Sequence, residues 1–337
     1  MGKKLTRKQL DLLGHLATYQ LLSAEQVAVL QEVGLQAARK RLRELVALGL
    51  VESRPHGYGR TRGRPARIHS LSKKGVAQLR SSGRDDTQGI RDLHFPEQPA
   101  GVDHQILLNW CLLHLVHLEK VIPQLRVHLV AQPRPLGEPV QPVGSPRSGR
   151  GEPRSPGATI PDAVFSITCA DQGKTLLFFL EVDMATETMA SPRGSNRDFR
   201  SKILRYQEHF RSGRYKAYHA LCHCQLRGFR LLVVANSRSR LASLCRLVRE
   251  MPPSDFVWLT DQASLFAEGI SAAIWALGGH LDSPPQSIVG PTFCRPAPLQ
   301  IEEYIDAEFG EGEDTTAERK LMNVTKGQRH SYDDGQQ

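Results

Sequence analysis

Three acids fall where chemistry would need them. Asp162 opens an apolar stretch, IPDAVFSITC, and Glu181 and Asp183 close a second one, TLLFFLEVD. The first stretch alternates, with Phe165 and Ile167 on one face and Ser166 and Thr168 on the other. The second is a nearly continuous apolar run, as expected of a strand buried on both faces. A turn at Asp171-Gln172-Gly173-Lys174 joins them. In an antiparallel hairpin the start of one strand lies beside the end of the next, so the three carboxylates should converge at one sheet edge. Glu181 and Asp183 are two residues apart and leave the same face. Converging carboxylates repel, and a hard divalent cation, Mg²⁺ or Mn²⁺, is the usual remedy. Such an ion polarises a phosphodiester and lowers the pKa of an attacking water. The plainer alternative is that these are solvated acids at strand ends.

The elements around this hairpin follow from periodicity. Leu5 to Tyr19 has helical spacing, and Ser23 with Gln26 forms a capping box for a second helix through Gln31. After Gly34 a third helix spans Leu35 to Leu48, with Ala38, Leu42, Leu45 and Val46 as its apolar stripe and Arg39, Lys40 and Arg43 opposite. Strands at 50–53 and 66–71 flank a glycine-rich tip that carries Arg60, Arg62, Arg64 and, at its end, Arg67. Three helices with a two-stranded wing make a winged helix-turn-helix, whose third helix would enter the major groove of double-stranded DNA. Arg62-Gly63-Arg64-Pro65 resembles an AT-hook core, suited to a narrow minor groove. The alternative is a winged helix used for protein contacts or homodimerisation.

A polar linker at 83–100 leads to a leucine-rich, buried helix over 102–120, with Asp103 as its N-cap and His104 next to it. A strand follows at 126–131. Residues 132–159, rich in Pro, Gly, Ser and Arg, read as a disordered insertion. Beyond the hairpin, a helix from Arg200 places Lys202, Tyr206 and His209 along one side. Strands at 228–235 and 255–260 alternate with helices at 237–249 and 262–267, the pattern of an α/β layer with parallel edge strands. The expected domains are 1–82, 101–278, and a Pro-rich then acidic tail over 279–337.

Pro161-Asp162 followed by Glu181-Val182-Asp183 resembles the PD-(D/E)xK nuclease core. With the winged helix and Asp103-His104 ahead of it, the chain resembles the plasmid replication-relaxation family over roughly residues 5 to 270. The resemblance implies an α+β protein: a winged helix followed by a restriction-endonuclease-like α/β core. It implies metal-dependent nicking or cleavage of DNA in the replication or relaxation of a mobile element. Asp162, Glu181 and Asp183 would be catalytic and metal-binding, with His104 and Tyr206 as helpers. Asp183 stands where the nuclease motif has its lysine. In such relatives a lysine from the following helix can take that role, which makes Lys202 the first candidate and Lys174 in the turn the second. Glu187 is a further candidate ligand. The competing reading is a non-catalytic initiator or transcriptional regulator that keeps the fold as a platform.

Charge agrees with a polyanionic partner. Residues 1–84 hold 17 Lys/Arg against 5 Asp/Glu, whereas residues 301–337 hold 4 against 10. The acidic tail is a candidate site for a protein partner. No stretch is apolar enough to span a bilayer, and the start is not a signal peptide, so no membrane partner and a cytoplasmic location are expected. The 6 cysteines show no repeated CxxC spacing, and Cys222-His223-Cys224 lacks a second ligand pair.

Overall fold

A computed structural model of the chain describes residues 5–56, 66–83, 99–130, 133, 135–136, 159–186, 188–189 and 198–290. The fold is mixed α+β with two sheets. The first unit contains α1 (Arg7–Tyr19), β1 (Leu21–Ser23), α2 (Ala24–Gln31), α3 (Leu35–Ala47), β2 (Val51–His56), β3 (Ala66–Leu71) and α4 (Lys73–Ser81). Ser23 and Gln26 form the reciprocal cap that starts α2, as expected. Thr6 and Gln9 do the same for α1. The sheet is antiparallel in the order β1-β3-β2, so a third strand, too short to show a period, joins the two expected ones. On α3, Ala38, Leu42 and Leu45 face inward; Val46, assigned to that stripe from the sequence, is 37% exposed.

Next comes α5 (Pro99–Val121), three residues longer at its start than its periodicity suggested. Asp103 therefore lies inside the helix and is not its N-cap. The helix is apolar on all sides because both sides are covered. Leu107, Leu108, Cys111, Leu115 and Leu118 pack on the large sheet, while Leu113, with Trp110 and Leu112, packs into the first unit. Polar contacts fix the same junction. The Asn109 side-chain amide donates to the carbonyls of Tyr19 (3.1 Å) and Leu21 (2.6 Å), and that of Gln26 donates to Ile106 O (2.9 Å). A helix expected to belong to the second domain alone is thus shared by both.

The remaining elements are β4 (Leu125–Leu129), β5 (Ala163–Cys169), β6 (Lys174–Asp183), α6 (Phe199–Arg211), a 3-10 turn (Arg214–Tyr218), α7 (His219–Cys222), β7 (Arg230–Ala235), α8 (Arg238–Arg249), β8 (Val257–Asp261), α9 (Gln262–Glu268) and β9 (Ala276–Leu277). They form one six-stranded sheet in chain order, β4 to β9. Strands β4, β5 and β6 are antiparallel, β6, β7 and β8 are parallel, and β9 closes the edge antiparallel to β8. The edge is therefore not the parallel strand expected. Layers cover both faces, which is why β6 is apolar at successive positions. Phe178, Leu180 and Val182 face α5 and α9, and Leu177 and Phe179 face α6 and α8. The second core also extends beyond its expected limit at 278, since Ile288 and Val289 are buried in it. Leu136, inside the stretch assigned to the insertion, is buried against the α6 side. Most of the expected linker, insertion and tail lies outside the described residues.

Candidate functional site

The hairpin register decides which acids meet. Ala163 pairs with Leu180, so Asp162 comes opposite Glu181 at the next step. The Val182 N–H donates to Asp162 Oδ2 at 2.8 Å, fixing that carboxylate across the strand gap. From α5, His104 Nε2 lies 3.0 Å from the same oxygen. From α6, Lys202 Nζ donates to Glu181 Oε2 at 3.1 Å and the Tyr206 hydroxyl donates to Oε1 at 2.6 Å. Asp198 caps α6 by accepting from the Ser201 N–H at 2.8 Å, which sets the helix phase that aims Lys202 and Tyr206 at the strand. Two strand ends and two helices thus gather His104, Asp162, Glu181, Lys202 and Tyr206.

Electrostatics mark Glu181 as the strained member. Burial, and then the charge of Asp162, push its carboxyl up to about 8, against the opposing pull of Lys202 and Tyr206. Tyr206 is held well above its ordinary 10.0, first by burial and then by Glu181. For His104, burial opposes protonation, but the hydrogen bond and charge of Asp162, aided by Glu181, outweigh it and raise its pKa.

Asp183 has a different partner. Arg240 of α8 grips it in a fork, Nε to Oδ1 at 2.8 Å and Nη2 to Oδ2 at 2.9 Å. The Ala185 N–H adds a third bond to Oδ1 at 2.7 Å. The expected three-acid cluster is therefore a pair, Asp162 with Glu181, and a separate ion pair. Among the described residues no group of three or more His, Cys, Asp or Glu is arranged to hold a metal ion. Arg240 is the residue that sequence reasoning missed; only its place near the start of an amphipathic helix after a buried strand pointed to it.

Other expected residues sort clearly. Lys174 begins β6 opposite Cys169, seven residues and about 23 Å along the strand from Glu181, so it is remote from the acids. His209 packs among Phe179 and Phe229 and does not reach them. Glu187 lies outside the described residues, as do Arg60, Arg62 and Arg64. Arg39, Lys40 and Arg43 are exposed on α3. Arg39 also pairs with Glu25 at 3.6 Å, with both side chains partly in solvent. Arg67 lies along the strand pair, donating from Nε to Ser53 Oγ (2.8 Å) and from Nη2 to Ser53 O (2.9 Å).

A family model described as replication-relaxation matches residues 13–223, more than half of the chain. This protein belongs to the replication-relaxation family. The matched segment contains all five gathered site residues, whereas Arg240 lies beyond it. Comparison with curated proteins and with solved structures gives no match. Among the described residues, no helix of this replication-relaxation protein is long and apolar enough to cross a membrane.

Proposed function

We propose that this replication-relaxation protein binds DNA of a plasmid or mobile element and cuts or nicks it by metal-dependent hydrolysis. On this reading the six-stranded unit is a PD-(D/E)xK-type nuclease whose lysine has moved from the strand to α6. The observation that carries it is the 3.1 Å contact of Lys202 Nζ with Glu181, which sits beside Asp162. The first unit reads as a winged helix, with Arg39, Lys40 and Arg43 of α3 exposed for a major groove.

The residues present fit a divalent cation held by two carboxylates. Both hydrogen bonds to Asp162 fall on Oδ2, which leaves Oδ1 for a further ligand. Each Glu181 oxygen keeps a lone pair beyond its one described bond. Mg²⁺ commonly takes one or two carboxylates and completes its shell with water and substrate phosphate. Asp183 does not fit, since both of its oxygens are held by Arg240. Bound between Asp162 and Glu181, the ion would supply Lewis-acid polarisation and a more acidic water. The chain's own groups do the rest. Tyr206 and Lys202 fix Glu181, and His104 fixes Asp162. The Lys202 ammonium also offers N–H donors to negative charge that develops on a phosphate in the reaction.

The test is incubation of the protein with supercoiled plasmid and Mg²⁺ or Mn²⁺. Nicking or linearisation by the wild type, lost in Asp162→Asn, is the expected result. Tight, salt-dependent DNA binding with no cleavage under either ion would replace the enzyme with a non-catalytic initiator or regulator. The Asp183–Arg240 pair favours that second reading, because it fills the motif's lysine position with a closed structural contact.

A further inference from the structure

Beside the acidic pair, on the α5 side of the sheet, a groove of about 300 Å³ opens between α5, the end of β6 and the start of α9. Asp103, Trp110, Met184, Gln262 and Phe266 contribute to its lining. It adjoins the candidate site through chain neighbours, since Asp103 precedes His104 and Met184 lies three residues beyond Glu181. Trp110 and Phe266 meet edge to face, with centroids 5.9 Å apart and planes at 88°. Phe266 is 36% exposed and Trp110 half-buried, so ring surface remains available in the groove.

Ile106, Leu107 and Met184 add apolar lining, and two lining residues, Asp103 and Gln262, are polar and directional. The Asp103 carboxylate is anchored 2.7 Å from His56 Nε2 and accepts hydrogen bonds. The Gln262 amide both donates and accepts. Outside the lining, Arg238 of α8 is held 3.1 Å from Asp261, the residue before Gln262, with its side chain 79% exposed. Flat apolar walls and edge-reading polar groups together complement a nucleobase. A base paired and stacked in duplex offers neither its face nor its Watson–Crick edge, so the fitting occupant is an unpaired one.

The geometry points to this groove as the seat of one unpaired nucleobase of the DNA strand handled at the Asp162–Glu181 pair. Its ring lies against Trp110 and Phe266, and its edge meets Asp103 and Gln262. The inference rests on the reading of this chain as a DNA-processing protein, and its test needs no cleavage.

The full chain, in EDTA, is titrated with a short oligothymidine, with an abasic oligomer of equal length, and with a duplex. Of the 3 tryptophans, Trp258 and Trp275 are 6% and 0% exposed, so quenching of emission reports Trp110. Oligothymidine should quench and the abasic oligomer should not. Phe266→Ala should weaken oligothymidine binding about tenfold or more while leaving duplex binding unchanged. Phe266→Leu keeps apolar contact with Trp110 without the ring and should lose the same affinity. Abasic DNA that binds as tightly as oligothymidine, or wild-type affinity in folded Phe266→Leu, overturns the groove. Quenching and its loss in these variants, alongside a plasmid that stays uncut, uphold the groove and remove only the nuclease.

Discussion

Glu181 and Asp183 leave the same strand on the same face and are nearly equally buried, at 1% and 5% exposure. Their surroundings differ completely. Asp183 meets a matched fork from α8 and is satisfied within the fold. Glu181 meets a lysine, a phenol and a second carboxylate, and burial with that carboxylate drives its pKa up to about 8. A buried acid is thus not in itself a sign of chemistry. An acid that the fold places beside another acid, at a cost only partly offset by its partners, is the better candidate.

Cleavage should separate the two residues most widely. Glu181→Gln is expected to lower the nicking rate about 1,000-fold, in line with the loss of several kcal/mol of transition-state stabilisation. Asp183→Asn, measured on the soluble, folded fraction, should cut within about tenfold of wild type. Equal losses in both would put Asp183 back among the ligands.

Stability should separate them in the opposite sense. Asp183→Asn strips the counter-charge from a nearly buried arginine, and breaking a buried pair costs about 3–5 kcal/mol. Denaturant unfolding should show that loss, and a cost below about 1 kcal/mol would make the fork a minor contact. Lys202→Met sharpens the comparison from the other side. It should reduce cleavage about 100-fold and leave Mn²⁺ binding measurable by calorimetry. Abolished Mn²⁺ binding would assign the lysine to organising the acids rather than to the phosphate.

The pH dependence isolates Glu181. Its folded pKa is raised from 4.5 to about 8, so its contribution to stability is fully present below pH 4.5 and is lost as pH climbs through about 8. In metal-free protein, Glu181→Gln should flatten that decline and raise Tm at pH 8 by about 2–4 °C for each kcal/mol recovered. His104 acts in the same direction, because its raised pKa stabilises the folded state below pH 6.5 and that stabilisation fades above its raised value. Cation binding must displace the Glu181 proton, so affinity for Mn²⁺ should climb with pH and level off above about 8. A flat profile would show that the proton is not there.

Much of this was legible in the chain because it is local. The capping box at Ser23, the stripe of α3 and the hairpin at Gly173 each depend on residues within a few positions. The convergence of Asp162 with Glu181 was legible too, since a tight turn fixes hairpin register. Helical spacing put Lys202 and Tyr206 on one side of α6, and the family resemblance made them candidates for the site. Nothing local announced Arg240, 57 residues from Asp183, or the short strands β1 and β9, which exist only because a neighbouring strand offers hydrogen bonds.

By itself the sequence determined the longer elements, the basic first unit and the acidic hairpin end, because propensity, capping and period are properties of short segments. Only the tertiary structure decided which acid keeps company with which cation. That choice depends on helix phase and on packing across a parallel crossover, where β7 and α8 must first be laid beside β6 before Arg240 can reach Asp183. The same packing set α5 between two cores and left a groove at its side.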